Sequence, residues 1–342
     1  MLHFGLVIPS SARLRTCGWV LAAVAASVLG GCGSDSGSGG LSEGTPVELP
    51  GLSGSTDFDD IAYSKRLDRM LVPALAGGLY MVDPETGEAE HVGGFETADS
   101  ADEGRGLIFV ADRSAQQIDV VDPRTGRIVA STPTGATPDY VRYIEANDEL
   151  WVTEPSAQGI EVIPLGPGRV PMLGEASFIP VEGGPEGLTV APGGDSAFTH
   201  ALDGELVKID VGSRREAARW PMGCGGAHGF PQIDEADDLV LASCDANGEV
   251  VLMDARDGRQ IAHFGVGEGT SLPAYSAVSD HFYARADPGT TITTLEGTAE
   301  GLVAVDSVTV PEAGHCLIAD PHGGYWTCDA EGGRVLRFTD EG

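Results

Sequence analysis

Imidazole and carboxylate side chains are the groups of this chain best suited to chemistry, and three of them fall in two neighbouring repeats. They are Glu186, His200 and His228. Imidazole nitrogens and carboxylate oxygens together suit Zn²⁺ or another divalent ion. These three residues are therefore the best candidate ligands for a metal site, which could hold Zn²⁺ or another divalent ion. The alternative is that they bind only water and backbone groups.

Signatures of other active sites are missing from the sequence. The chain has no Gly-x-Ser-x-Gly nucleophile elbow, no His-Glu-x-x-His pair and no P-loop. Its Asp-rich turns do not match the twelve-residue loop of an EF-hand, and turn formation explains them better. The pattern therefore argues against an enzyme without excluding one.

The charge balance narrows the range of partners. Asp and Glu total 52 against 20 Lys and Arg, so the formal net charge is −32. Such a surface repels nucleic acid and anionic lipid headgroups, and we expect neither as a direct partner. The 49 glycines and 21 prolines favour a turn-rich all-β fold over a helical one.

A repeat of 40–47 residues organises the chain. One anchor is an Asp that starts a turn closed by Gly, as in Val82–Gly87, Val121–Gly126 and Met253–Gly258. A second anchor is a short apolar run ending in a polar residue, such as Phe109–Asp112, and seven copies occur. Four short strands in each such unit are typical of a propeller blade.

The repeats predict an all-β, seven-bladed β-propeller over residues 55–339, within a domain that spans 45–342. The last unit supplies only three strands before the sequence ends. The segment Thr45–Pro50 is the remaining apolar stretch, so we expect it to supply the outer strand of that blade. Its pairing with Arg334–Phe338 would remove an exposed sheet edge.

Polar residues at two strand ends should meet at one axial mouth of the propeller. The start of the first strand and the end of the second strand face the same rim, because the two strands are antiparallel neighbours. Besides the three metal candidates, this rule places six further residues at that mouth: Asp99, Asp112, Asp139, Glu154, Arg285 and His315. An axial mouth is concave, as ligand sites usually are.

The N-terminal residues resemble a bacterial lipoprotein signal. Arg13 and Arg15 precede an apolar run, Val20–Leu29, that is too short to span a bilayer, and Leu29–Cys32 follows as a lipobox-like stretch. The resemblance implies a signal peptide over 1–31, lipidation at Cys32 and a Gly/Ser-rich tether over 32–44. The alternative is an ordinary signal peptide that carries a cysteine.

The resemblance also implies a place in the cell. We expect an envelope protein held at the membrane through lipid alone, at the outer membrane because Gly33 follows the cysteine, and facing the periplasm or the cell surface.

Four cysteines remain in the propeller, and an even number in an exported protein indicates disulfides. Three connectivities are possible. Cys224 and Cys244 occupy the same two places in their blade as Cys316 and Cys328 in the last one. The repeat therefore predicts the pairs 224–244 and 316–328.

The whole mature chain resembles the YVTN-type (surface-layer-like) family of seven-bladed propellers, on its Asp-Pro-x-Thr-Gly turns and strand ends such as Phe109–Asp112. The segment Cys224–Gly229, followed by Leu241–Cys244, also resembles part of the periplasmic zinc-metallochaperone propellers. The first resemblance implies a non-enzymatic binding protein for a protein, a glycan or a metal. The alternatives are a zinc carrier or chaperone and a lactonase-like hydrolase. We expect a monomer.

Overall fold

The computed structural model describes residues 44–340 and residue 342. The predicted signal peptide, the tether up to residue 43 and Cys32 lie outside the described residues. Among the residues described, no helix is long and apolar enough to cross a bilayer. Two 3₁₀ turns, Pro155–Ala157 and Asp245–Asn247, are the helical elements of this part of the chain.

Twenty-eight strands form seven four-stranded antiparallel sheets, which confirms the predicted propeller. In chain order the blades comprise β2 (Ala62–Ser64), β3 (Arg69–Pro73), β4 (Leu79–Val82) and β5 (Ala89–Val92); β6 (Ala98–Gly104), β7 (Leu107–Asp112), β8 (Gln117–Asp122) and β9 (Arg127–Pro133); β10 (Val141–Ile144), β11 (Glu149–Glu154), β12 (Gly159–Pro164) and β13 (Ser177–Pro180); β14 (Pro185–Val190), β15 (Ser196–Ala201), β16 (Glu205–Asp210) and β17 (Arg215–Pro221); β18 (Gln232–Asp234), β19 (Leu239–Cys244), β20 (Glu249–Asp254) and β21 (Gln260–Gly265); β22 (Thr270–Ser276), β23 (His281–Asp287), β24 (Thr291–Thr298) and β25 (Gly301–Thr309); and β26 (Leu317–Ala319), β27 (Gly324–Asp329), β28 (Arg334–Thr339) and β1 (Thr45–Glu48).

The first strand of each blade lies next to the central axis, where it contacts the first strands of neighbouring blades. We call the face on which these inner strands begin the upper face, and the face on which they end the lower face. The Asp-started turns lie on the lower face. In one of them the Asp83 carboxylate accepts the backbone N–H groups of Glu85 and Thr86, and Gly87 takes the positive φ of 73° that closes the turn.

The ring closes through β1, as the sequence predicted. Thr45, Pro46, Val47 and Glu48 pair antiparallel with Arg337, Leu336, Val335 and Arg334 of β28. Val47 is only 5% exposed and packs in an apolar cluster with Tyr80 of the first blade and Trp326 of the last. Burial of this one side chain contributes roughly 1.5–3 kcal/mol, so the strand is fixed by packing as well as by backbone hydrogen bonds.

The four cysteines of the described residues lie together in the two predicted pairs. The Cα atoms of Cys224 and Cys244 are 5.6 Å apart, and so are those of Cys316 and Cys328. Both separations suit a disulfide. Each pair ties the loop before an inner strand to the end of the second strand on the upper face.

Candidate functional site

Irregularities at the start of two inner strands direct carboxylates toward the axis. The register of β14 with β15 shifts between Glu186 and Leu188, so Gly187 is an extra, bulged residue. Its φ is +64°, and a Cβ added there would lie 1.9 Å from the carbonyl oxygen of Gly229. Only glycine allows this close approach of two blades. A similar shift between Ala98 and Ser100 leaves Asp99 bulged in β6.

Six ionisable residues converge at the upper mouth, and we call them the upper-mouth cluster: Asp59, Asp99, Asp139, Glu186, His228 and His315. Arg113 binds two of them, because its Nη1 lies 3.2 Å from Asp99 Oδ2 and its Nη2 contacts Asp139. The Tyr140 hydroxyl lies 3.1 Å from Asp59 Oδ1 and 3.2 Å from Glu186 Oε1. The predicted residues of the inner-strand starts are therefore brought together.

Burial and mutual repulsion keep protons on the carboxyl groups of this cluster. Burial, followed by the charges of Asp139 and Asp59, raises the pKa of Glu186 to about 9. Burial and then Asp59 raise the pKa of Asp99 to about 8, although Arg113 opposes this. Burial raises the pKa of Asp59 itself to about 7. Near neutral pH the cluster is thus a shared-proton network more than a fixed array of anions.

The pKa values of the two histidines in the cluster are shifted in opposite directions. Burial and the nearby His315 lower the pKa of His228 to about 4, so it is neutral where its Nε2 meets Glu186 Oε1 at 3.2 Å. Burial opposes the charged form of His315. Its Nδ1 lies 3.0 Å from Asp287 Oδ2, however, and this hydrogen bond, together with the negative charge of Asp59, raises the pKa of His315. The rings lie 5.3 Å apart between centroids.

The predicted ligand set of Glu186, His200 and His228 does not assemble, because His200 has no free nitrogen. Its Nε2 accepts the backbone N–H of Ser243 at 3.2 Å, so Nδ1 donates to the carbonyl of Gly229 at 3.0 Å. The ring is fully buried and burial lowers its pKa to about 4. Within residues 44–340, no group of three His, Cys, Asp or Glu side chains is arranged to hold a metal ion.

The residues predicted from second-strand ends hold loops instead of lining the mouth. Asp112 accepts the backbone N–H groups of Glu96 at 2.7 Å and Thr97 at 2.9 Å, and Glu154 accepts that of Ala136 at 2.9 Å. All three predicted side chains, Arg285 included, are buried. The repeat spacing predicted the correct rim for their backbones. Their side chains, however, form hydrogen bonds with nearby loop backbone groups and do not point into the mouth.

Arg285 is held without a carboxylate partner in the part of the chain described. Its guanidinium donates to Thr327 Oγ1 at 2.6 Å and to the carbonyl oxygens of Gly289, Pro311 and Glu312 at 2.9–3.3 Å. Burial lowers its pKa to about 10. It therefore joins the sixth blade to the loop that leads into the seventh, which is a structural role.

The central channel is blocked between the two mouths. Arg142 donates to both oxygens of Asp60, at 2.6 and 2.9 Å, and the Phe230 ring lies 4.9 Å from its guanidinium carbon. Phe230 also packs edge-on against Tyr140, with ring centroids 4.5 Å apart. A cavity of about 20 Å³ lies above them and is lined by Asp59 and His315 among others. That volume admits about one water molecule.

Ligand-sized space lies on the opposite, lower face. Three depressions of about 370, 260 and 670 Å³ open there, and neighbouring depressions share lining residues. Tyr63, Asp102 and Tyr143 line the first and second, and Thr189, Val190 and Gln232 line the second and third. Together they form one run across the ends of the inner strands, which we call the lower-face groove.

The lower-face groove has ends of different character. At one end Lys65, Arg66 and Arg105 are balanced by Asp102, Glu103 and Glu145, with Arg66 3.4 Å from Glu103. The other end is lined by Val190, Pro192, Ile233 and Tyr275 with a rim of Asp234, Glu235 and Asp280. Val278, beside this end, is 61% exposed. The groove therefore runs from a charge-balanced end to an apolar end with an acidic rim.

Sequence reasoning missed Asp59, Arg113, Tyr140 and the plug formed by Asp60, Arg142 and Phe230. Two of these residues could have been predicted from the sequence, because Tyr140 follows Asp139 in its repeat anchor and Arg113 follows the strand end at Asp112. The plug gave no local signal, since its three members come from three different blades.

Comparison with known proteins supports the fold. No protein-family model matches the chain, and no curated protein matches it. Among solved structures, the β-propeller domain of Myceliophteria thermophila Cps50 (Swd1) is similar at a TM-score of 0.70 and 14% identity, covering 87% of this chain and 98% of that one. A chain of the mitotic checkpoint complex gives 0.73 and 11%, covering 96% and 100%. The RRP9 WD40 repeats give 0.69 and 10%, covering 86% and 96%. The chain therefore has a seven-bladed, WD40-like propeller fold.

Proposed function

We propose that this protein is a lipid-anchored propeller of the bacterial cell envelope that binds another protein without catalysing a reaction. The lower-face groove is the observation that carries the proposal. Its depressions of 260–670 Å³ suit an extended peptide segment, whereas the upper cavity of about 20 Å³ admits only water. One structural neighbour is, by its description, part of a mitotic checkpoint complex, which is consistent with propellers serving in assemblies.

The groove favours a protein partner over a glycan or a metal ion. Its apolar and aromatic lining, which includes Val190, Ile233 and Tyr275, can bury side chains of a bound segment. The carboxylates of Asp234, Glu235 and Asp280 on the rim of the apolar end would favour a segment that carries a cationic side chain there. The strong overall negative charge keeps nucleic acid away.

Site-specific photocrosslinking in cells tests the protein-binding role. A photoreactive amino acid at Gln232 or Ala277, both of which line the groove, should give a discrete adduct with the same partner. The matched control is Asp203, an exposed residue in the turn between β15 and β16 on the upper face. Adducts that are equal at Asp203, or absent from both groove positions, would contradict the proposal.

The alternative function is that of a zinc carrier. It is supported by the contact between Glu186 and His228, two of the candidate ligands. Specific Zn²⁺ binding would survive high salt, because only non-specific attraction to the negative surface is screened. Titration calorimetry of the wild type and the His228→Ala variant in high salt decides this. If the wild type still gives heat of Zn²⁺ binding in high salt and the His228→Ala variant does not, the zinc-carrier function would be favoured over protein binding.

Lipid anchoring at Cys32 is the second part of the proposal. Cys32→Ser should move the protein from the membrane to the soluble fraction, since the acyl chains hold it by hydrophobic transfer. Cys17→Ser is the matched control, because Cys17 lies within the predicted signal peptide and should leave partitioning unchanged. Membrane retention of the Cys32→Ser protein would refute the anchor.

A further inference from the structure

The outer strand of the sixth blade, β25, is unlike the other six outer strands. It has nine residues, Gly301–Thr309, whereas the others have four to seven. At about 3.3 Å per residue it offers an edge of about 30 Å. Its sequence, Gly-Leu-Val-Ala-Val-Asp-Ser-Val-Thr, contains no Lys, Arg or Pro and one charge, Asp306.

Proteins commonly protect an open sheet edge with short strands, charges or proline. Five of the other outer strands carry charges or proline, namely Glu90 in β5, Arg127 and Pro133 in β9, Pro180 in β13, Arg215 and Pro221 in β17, and Pro46 in β1. The sixth, β21, carries neither but has only six residues. β25 instead exposes Val303 at 61% and Val305 at 45%. Apart from its ladder to β24, no backbone hydrogen bond reaches Gly301–Thr309 from the described residues.

The bulge in β25 does not distinguish it from its counterparts. Its register with β24 shifts between Thr294 and Leu295, which leaves Val305 as the extra residue. β9, β17 and β21 shift at the equivalent place. The bulge is thus a common feature of these blades, and the length of β25 and the exposure of its valines set it apart.

An acidic groove runs beside this edge. It has a volume of about 680 Å³ and is lined by Val305, Asp306 and Glu296 on the sixth blade and by Asp340 and Arg337 on the seventh. The Asp340 carboxylate already binds His281 Nδ1 at 2.7 Å and the Tyr283 hydroxyl at 2.6 Å. Glu296 and Asp306 have no ion-pair partner within residues 44–340. Cationic side chains of a neighbouring strand could reach them.

We propose that β25 is a docking edge at which an extended, cationic segment of another protein adds a fifth strand to the sixth blade. Main-chain hydrogen bonds along the edge would give affinity, and Lys or Arg side chains of the segment would reach Glu296 and Asp306. A second copy of this chain is the wrong occupant, because two molecules of charge −32 repel each other. The site is separate from the lower-face groove and does not depend on it.

Two synthetic peptides provide the probe. One alternates Val and Thr with a Lys at each end and centre, and its twin carries Glu at those positions. Hydrogen exchange of the full-length protein, with peptide up to millimolar concentration, reports protection of Gly301–Thr309, and fluorescence polarisation reports affinity. We expect the Lys peptide to protect this stretch and the Glu peptide to leave it unprotected, with the effect weakening as salt is raised.

Three variants locate the site. Val303→Lys with Val305→Lys places gatekeeper charges on exposed positions, and should weaken binding at least about tenfold. Glu296→Gln with Asp306→Asn should weaken it about threefold, as expected for exposed charge pairs. Val129→Lys is the matched control, because Val129 is the exposed bulge residue of β9, and should change nothing.

Three results would overturn the proposal. They are no protection of Gly301–Thr309 by the Lys peptide, equal protection by both peptides, and unchanged affinity in the Val303→Lys, Val305→Lys protein. Protection that appears without peptide and grows with protein concentration would assign the edge to self-association instead. None of these outcomes bears on crosslinking at the lower-face groove, so the two proposals fail separately.

Discussion

The absence of a side chain at Gly187 is needed for the geometry of the upper mouth. Gly187 lets the backbone of the fourth blade approach that of the fifth so closely that any Cβ would overlap the Gly229 carbonyl. The same carbonyl receives the hydrogen bond from His200 Nδ1. Gly187 thereby allows two features at once. It forms the bulge that directs the Glu186 carboxylate to the mouth, and it leaves room for the Gly229 carbonyl that binds His200 Nδ1.

Gly187→Ala should destabilise the propeller far more than an ordinary glycine substitution does. Gly194 is the matched control, since it also has positive φ, +73°, but a Cβ added there would have no other atom within 4 Å. Gly194→Ala carries only backbone strain and should cost about 1 kcal/mol. Gly187→Ala adds a steric overlap and should cost about 3 kcal/mol or more. Chemical denaturation measures both, and equal losses would show that the blades can shift apart.

At this scale, position could be predicted from the sequence but side-chain orientation could not. Asp99, Asp139, Glu186, His228 and His315 share one place in the repeat, and all reach the upper mouth. His200 and Arg285 are also correctly placed along the chain, yet their side chains are bound by nearby backbone groups. Which polar group captures a side chain depends on loops from neighbouring blades, and the repeat carries no information about those contacts.

At the scale of elements, β1 is the strand that closes the ring. Four residues complete the seventh sheet, and one of them, Val47, enters the core between the last and first blades. The repeat count made this closure predictable, because the last unit lacked a strand. The lower-face groove was not predictable in the same way, since its walls come from the ends of strands in at least five blades.

Val47→Asp should open the ring by placing a charge in that core. We expect a loss of about 3 kcal/mol or more in the free energy of unfolding, together with aggregation through the exposed edge of β28. Thr45→Asp is the control on the same strand, because Thr45 is exposed, and should stay within about 0.5 kcal/mol of the wild type. Thermal melting and light scattering measure both effects. Similar behaviour of the two variants would mean that β1 is dispensable.

Across the whole propeller, acidic residues are unevenly placed, and this gives its stability a pH dependence. Most carboxylates lie on the surface, but those of the upper-mouth cluster are concentrated around the axis with raised pKa values. An unfolded chain would release these protons near pH 4, so folding retains them. A raised folded-state pKa stabilises at low pH, and that contribution is lost as pH rises through the folded value.

The carboxyl groups of Asp59, Asp99 and Glu186 should therefore lower stability from about pH 4, where the unfolded chain releases their protons, up to their folded pKa values of about 7, 8 and 9. Between about pH 4 and pH 6.5 the lowered pKa values of His200 and His228 act in the opposite direction, because protonating these rings favours unfolding, so the net fall is clearest above pH 6.5. Glu186→Gln should remove up to about 1 kcal/mol per pH unit from the slope. The exposed Glu300→Gln is the control and should keep the wild-type slope. Parallel slopes for all three proteins in denaturant titrations would contradict this account.

The strand that closes the ring also sets when the ring can close. Glu48 of β1 and Arg334 of β28 are 286 residues apart, and their side chains meet at 3.4 Å. As the chain is made from its N-terminus, β1 has no partner until β28 exists, so six blades can form while the seventh waits. Joining such distant segments carries an entropic cost that grows slowly with loop length but delays folding strongly. Completion of the propeller is thus a late, all-chain event, and until then Thr45–Glu48 is an unpaired strand open to other partners.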